Sequence, residues 1–332
     1  MTFNGIKISV RLLGATLALA VCSLLTGNAQ AQSRMFVSLD NNSIVSYDIS
    51  LSTPADVEAS KVIFSSTNLN NPSGIAFDSA GNLYAANNSN FDPSNWFNNT
   101  YNISKFDPAG NFLTKFGAFD DLVYPQGIAF DSSGNFYASN YFGNKIAKYD
   151  SNGNFLTTIG AGGKVRAPYG IAFDKNGRLY VANNNTHDIS IFDASGIFQG
   201  TIGSYPNMDG PTGIAFDQYG NLYAANGYAI TKYDSTGVFV TKIGPSVNLN
   251  YPIGIAFDSA GNLYAANYAI NTISKFDSTG AFQFSWNTQA APRFLALGGL
   301  GSPSAVPEPS AVAFGIIAIG SVFGLIARKR RW

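Results

Sequence analysis

Between residues 32 and 305 the chain alternates short apolar runs with small polar breaks. The runs are rich in Ile, Leu, Phe, Tyr and Ala, and Gly, Asn and Asp separate them. One stretch shows four in succession, at 170–173, 179–182, 189–192 and 197–202. Bulky runs of this length bounded by turn residues predict strands. No 3.6-residue apolar period of useful length appears in this part of the chain. The pattern then repeats. Pro-x-Gly-Ile-Ala-Phe-Asp occurs at 72–78, 125–131, 168–174, 211–217 and 252–258, with its glycines 53, 43, 43 and 41 residues apart. A period near 40 residues with four strands per unit predicts one propeller blade per repeat.

The breaks are as regular as the runs. Asp-x-x-Gly closes the first strand of each unit at Asp78, Asp131, Asp174, Asp217 and Asp258. It recurs after the third strand at Asp107, Asp150, Asp193, Asp234 and Asp277. An Asp carboxylate can accept from backbone N–H groups ahead of it and open a turn, and Gly supplies the left-handed residue that closes it. These segments lack the alternating oxygen ligands and distal Glu of a calcium loop. A sixth unit is split between the ends. Residues 35–39, 44–48 and 62–65 read as second, third and fourth strands, and 292–298 as the missing first strand. Pairing them closes the ring and removes its exposed edges.

The repeated segments Pro-x-Gly-Ile-Ala-Phe-Asp, Gly-Asn-Leu-Tyr-Ala-Ala-Asn and Ile-Ser-Lys-Phe-Asp resemble NHL repeats over nearly all of 35–300. The resemblance implies an all-β fold, a six-bladed β-propeller over 32–300, with the strand at about 292–298 paired to the N-terminal blade. In that family an acidic residue usually closes the second strand. Here Asn stands there, at Asn87, Asn140, Asn183, Asn226 and Asn267, which weakens any transfer of ligand sites.

The two ends read as sorting segments. Lys7 and Arg11 precede an apolar stretch at 12–25 and a small-x-small site at 29–31, the order of a secretory signal peptide over 1–31. Cys22 follows Val21, which is not small, so a lipoprotein site is disfavoured. It is the only cysteine, so the exported chain has none and must be held by its core. At the other end, Pro307, Glu308 and Pro309 close a linker at 301–309. An apolar segment at 310–327 follows, then Arg328, Lys329, Arg330 and Arg331 in a basic cytoplasmic tail at 328–332. The apolar length is at the short end of a bilayer span, and the basic residues hold that end inside. This arrangement closely resembles the PEP-CTERM sorting signal of Gram-negative bacteria. That resemblance implies signal peptidase and an exosortase-type processing enzyme as partners. It also implies transient inner-membrane insertion, then the cell surface or extracellular matrix. An ordinary C-terminal membrane anchor is the plainer alternative.

Charge and composition narrow the chemistry. The formal charge is zero, but residues 32–305 hold 14 Lys and Arg against 19 Asp and Glu, a net of −5. No basic stripe is present, so nucleic acid is not an expected partner. His187 is the only histidine, which excludes a multi-histidine metal site, and no Gly-x-Ser-x-Gly elbow occurs. Its segment, 183–188, reads as an exposed loop. No cofactor is expected. Propeller lactonases use Glu, Asn and Asp at a metal, but the only Glu here before the tail is Glu58, in an expected loop. Related lyases need histidines that this chain lacks. A metal-dependent lactonase or lyase is therefore the alternative to a binding or structural module.

Binding is expected on the face opposite the Asp-x-x-Gly turns, where connections vary in length. The loop after Asn87 is ten residues longer than its equivalents and carries Phe91, Trp96, Phe97 and Tyr101. Tyr124, Tyr141, Tyr169, Tyr228 and Tyr268 fall on or beside the same face, as do Phe142, Tyr205 and Tyr251. Aromatic rings next to amides suit the apolar C–H faces and hydroxyl rims of sugars. The expected ligand is an extracellular polysaccharide, with a protein ligand as the other possibility, although any one Tyr can simply pack between blades.

Overall fold

The computed structural model describes residues 34–88, 101–117, 121–244 and 248–298. Six four-stranded antiparallel sheets form six blades. The innermost strands are β4 (Pro72–Phe77), β8 (Pro125–Phe130), β12 (Pro168–Phe173), β16 (Pro211–Phe216), β20 (Pro252–Phe257) and β24 (Pro292–Leu297). Each packs against the next, and β24 meets β4, so the ring is closed. The sixth blade joins the chain ends: β24 pairs antiparallel with β1 (Arg34–Leu39), which leads to β2 (Ser43–Asp48) and β3 (Val62–Ser65).

The repeated glycine marks the narrowest approach in the ring. A Cβ at Gly170 would lie 2.5 Å from the carbonyl oxygen of Thr212 and 2.9 Å from the Cα of Gly213. Neighbouring inner strands therefore touch backbone to backbone, and a side chain at this position would push them apart. Outside this ring the blades are held by apolar clusters. Between the first two blades Tyr84, Ile103, Leu122, Phe136 and Tyr149 are buried together. Phe136 and Tyr149 stack at 4.7 Å.

The turns form as their residue types require. Asp78 Oδ1 accepts from Ala80 N at 3.0 Å and Asn82 N at 2.8 Å. Gly81 donates to the Asp78 carbonyl at 3.0 Å with φ of 80°. The same Gly-to-Asp bond closes all ten Asp-x-x-Gly segments. In the sixth blade the first turn is missing, and the chain ends take its place: Gly298 N donates to Arg34 O at 3.4 Å.

The Asn residues that close the second strands, at Asn87, Asn140, Asn183, Asn226 and Asn267, are structural. Asn183 accepts from Arg166 N at 3.0 Å and donates to Asp188 Oδ1 and Ser190 Oγ, both at 2.8 Å. It thereby ties the incoming loop to its own hairpin. A carboxylate there would face Asp188 and could not donate. One expectation needs correction. Glu58 lies not in a loop but in a short helix, α1 (Pro54–Ala59), between β2 and β3. Thr53 caps it by accepting from Asp56 N, and Pro54 occupies the first turn, where its missing N–H costs nothing.

Candidate functional site

Every inner strand starts with Pro on the face opposite the Asp-x-x-Gly turns. The residue before that Pro turns the chain into the ring with left-handed backbone. It is Asn71, Tyr124, Ala167, Gly210 and Tyr251 in blades one to five, with φ of 51°, 58°, 46°, 57° and 52°. In four of these five blades its carbonyl accepts from the residue that follows the second strand. These bonds run from Asn88 to Asn71, Tyr141 to Tyr124, Asn184 to Ala167 and Tyr268 to Tyr251. The two positions therefore stand side by side around the mouth of the central channel. In blades two and five both are tyrosine. These blades lie across the ring from each other, so each side of the mouth carries a tyrosine pair. Ring centres are 6.2 Å apart for Tyr124 and Tyr141, and 6.5 Å for Tyr251 and Tyr268.

Left-handed backbone is a costly place for a bulky side chain, and Asn or Gly is the usual occupant. Tyr124 and Tyr251 hold it nonetheless. Strained residues of this kind cluster where a ring position matters.

The second residue of each inner strand forms the floor of the mouth. These residues are Ser73, Gln126, Tyr169, Thr212, Ile253 and Arg293. Ser73, Gln126, Thr212 and Ile253 are buried. Ser73 Oγ and Gln126 Oε1 are 2.6 Å apart, and Thr212 Oγ1 donates to Pro252 O at 2.8 Å. Tyr169 and Arg293 stay partly open. Phe294 takes the place that glycine holds in the other five blades. Its ring stacks on Tyr169 of the opposite blade, with centres 6.1 Å apart and planes at 14°, and so bridges the channel. The aromatic surface runs on from there. Tyr169 meets Tyr141 at 5.8 Å, Tyr141 meets Phe142 at 5.0 Å, and Phe142 meets Tyr124 at 5.0 Å.

Burial sets the electrostatics of the floor. The Tyr169 hydroxyl is pushed well above its ordinary value by desolvation, and the nearby Arg293 opposes this in part. Tyr141 is raised by desolvation first, then by Tyr251 and Tyr124. Both therefore remain neutral hydroxyls that can donate or accept. The Arg293 guanidinium lies 5.6 Å from the ring centre of Tyr268, within cation–π range.

Beside the mouth, between blades three, four and five, lies a cavity of about 400 Å³ lined by Asn184, His187, Asp209, Gly210, Tyr228 and Tyr251 among others. His187 Nδ1 accepts from Gly210 N at 2.8 Å and stands 3.2 Å from Asp209 Oδ1. The accepted bond assigns the proton of the neutral ring to Nε2. His187 lies in the turn at 184–187 with its side chain 38% exposed, as the loop reading expects, and it also lines this cavity. Among the described residues no three His, Cys, Asp or Glu side chains gather as a metal site.

The structure brings Tyr124, Tyr141, Tyr169 and Tyr268 together at the mouth. Tyr228 stands in the adjoining cavity, 63% exposed. Tyr101 does not belong with them as a platform. It is only 3% exposed, packed in the wall between blades one and two with its ring edge on Tyr124 at 6.2 Å. Phe91, Trp96 and Phe97 lie outside the described residues, as do the sorting residues from Pro307 to Arg331. Arg293 and Phe294 belong to the site but are not among its sequence-predicted residues. The signal is present: Pro292-Arg-Phe stands where every other unit reads Pro-x-Gly.

The chain is a six-bladed β-propeller whose loop face carries this aromatic mouth. No known family profile matches its sequence, and no curated protein does. Solved structures share the fold. The chain is similar to a propeller in a nidogen/laminin complex, at 17% identity and a TM-score of 0.64, covering 79% of this chain and 97% of that one. It is similar to virginiamycin B lyase from Staphylococcus aureus, in a catalytically inactive form with quinupristin, at 18% identity and a TM-score of 0.55. That match covers 69% of this chain and 75% of the lyase. A protein of unknown function from Bacteroides caccae is similar at 13% identity and a TM-score of 0.59, with 79% and 97% covered.

Proposed function

We propose that this protein is an exported binding module of the cell surface or extracellular matrix, and that the mouth of its propeller binds extracellular polysaccharide. One observation carries the reading: a continuous, partly exposed aromatic surface from Tyr124 through Phe142 and Tyr141 to Tyr169, faced by the Tyr251–Tyr268 pair. Sugars stack on such rings, and Phe142 is exposed while Tyr124, Tyr141 and Tyr169 are partly open. Calorimetry of the full-length protein with the host's own exopolysaccharide tests it. Tyr141→Ala combined with Tyr268→Ala should abolish most of the binding without opening the ring. Unchanged binding by this variant would move the site elsewhere.

Two further observations bear on the ligand and reaction. The likeness to a chain of a nidogen/laminin complex supports a protein ligand as the second binding reading. His187 in the cavity beside the mouth, with the likeness to a lyase, supports the enzymatic alternative. Turnover of the bound ligand that His187→Ala removes would favour that alternative.

Export and processing belong to the same proposal. They rest on the signal-like segment 1–31 and on the Pro-Glu-Pro, apolar and basic segments of the tail. Among the described residues no helix is long and apolar enough to cross a membrane, and 310–327 lies outside them. The protein taken from its native cell surface should have lost the tail, and Pro307→Ala with Glu308→Ala should leave it uncut. An intact mass that still includes Trp332 would favour a permanent anchor.

A further inference from the structure

We infer that the mouth takes a polymer whose sugars carry carboxylates, with Arg293 as the group that grips the anion. The inference rests on the binding reading above and narrows it to acidic polysaccharide.

Four of the six floor residues are buried, and their side chains are apolar or hydrogen-bonded within the ring. Arg293 is different. It is partly open to the mouth, yet its Nε is buried and has no hydrogen-bond partner. No carboxylate pairs with it among the described residues. The side chains facing it are the Tyr268 ring and, across the channel, Tyr169. No protein acceptor reaches this N–H, and a charged group left without a protein partner is costlier than a neutral one. Folded proteins keep such groups paired. The rest of the guanidinium, beyond the buried Nε, is the part open to the mouth, and a planar acceptor entering from that side would meet it there. A carboxylate matches the guanidinium fork in shape and charge.

The surroundings fit a sugar bearing that carboxylate. Tyr141 and Tyr169 keep their protons at neutral pH and can donate to its oxygens. The paired rings at either side offer faces for the neighbouring sugars. The charge of residues 32–305 also bears on the question. At −5 overall, this part of the chain repels an acidic polymer unless a local cation offsets the field. Arg293 is the cation placed at the mouth to do so.

The test titrates full-length protein in detergent with four polymers: polygalacturonate, its methyl ester, dextran sulfate and dextran. Polygalacturonate should bind, and rising NaCl should weaken it. Esterification should cost about tenfold in affinity or more, as should Arg293→Gln, while Arg293→Lys should lose less. If Arg293→Gln fails to fold, the ester comparison on the parent protein decides alone. Equal affinity for the ester or for dextran, or undiminished binding by folded Arg293→Gln, overturns the inference and leaves polysaccharide binding standing. Tighter binding of dextran sulfate overturns the carboxylate assignment. Silence toward all four polymers overturns this inference, while calorimetry with the host's own exopolysaccharide decides the polysaccharide reading separately.

Discussion

Tyr251 occupies a backbone position that Asn71 and Gly210 fill in other blades. Its φ is 52° and its side chain is 47% exposed, so little packing compensates for the strain. Tyr251→Asn should stabilise the fold by about 1 kcal/mol, because Asn visits the left-handed region at lower cost. The same change should weaken ligand binding. A drop in melting temperature would show that the Tyr251 ring is a packing residue after all. Tyr101 behaves in the opposite way. Being buried between blades, it should cost about 3–5 kcal/mol when cut to Ala, as other large core rings do. Its loss would impair binding only by loosening the wall beneath Tyr124. Stability curves for the two variants should therefore move in opposite directions.

At the scale of strands and turns, two kinds of constraint are testable. Gly170→Ala puts a methyl group against the Thr212 carbonyl, where backbone cannot yield. The expected loss is upwards of about 2 kcal/mol, read from denaturant unfolding. An Ala variant as stable as the parent would mean that the inner strands can slide apart. The turn aspartates add a pH dependence. Asp107 and Asp150 are held below their ordinary 3.8 first by the side chains of Asn111 and Asn154, then by backbone N–H groups. Asp234 and Asp277 are lowered in the same way by Thr236 and Thr279. A carboxyl with a lower value folded than unfolded adds stability that is complete above the unfolded value. That stability disappears as pH falls through the folded one. The melting temperature should be flat from neutral pH to about 5 and fall below about 4. A melting temperature unchanged at about pH 2 would show that these turns contribute nothing.

The same elements show what is legible in the sequence. Strands, turns and the split blade can be read because each rests on a local requirement: a Gly that must be bare, an Asp that must accept. The short helix at 54–59 escapes such a reading, because six residues hold too little periodicity to register. Arg293 and Phe294 escape it for another reason. Read along the chain, they look like a degenerate copy of Pro-x-Gly, and only the ring sets them against Tyr169. The tyrosines fall on the expected face, but which of them is wall and which is rim depends on neighbours one blade away.

The whole molecule depends on closure. β24 is the innermost strand of the sixth blade, and it packs between β20 and β4. Deleting residues 292–298 should unpair β1, expose its sheet edge and cause aggregation or a large fall in melting temperature. An unaltered unfolding transition would mean that five blades and a remnant hold together without the seal. The position of that seal has a further effect. Arg34 and Gly298 meet where a turn would otherwise lie, on the side remote from the tyrosine mouth. Any tether joined to residue 298 therefore grasps the propeller from behind. Whatever is joined there leaves the mouth unobstructed, so attachment at residue 298 and binding at the tyrosines would not compete for the same face.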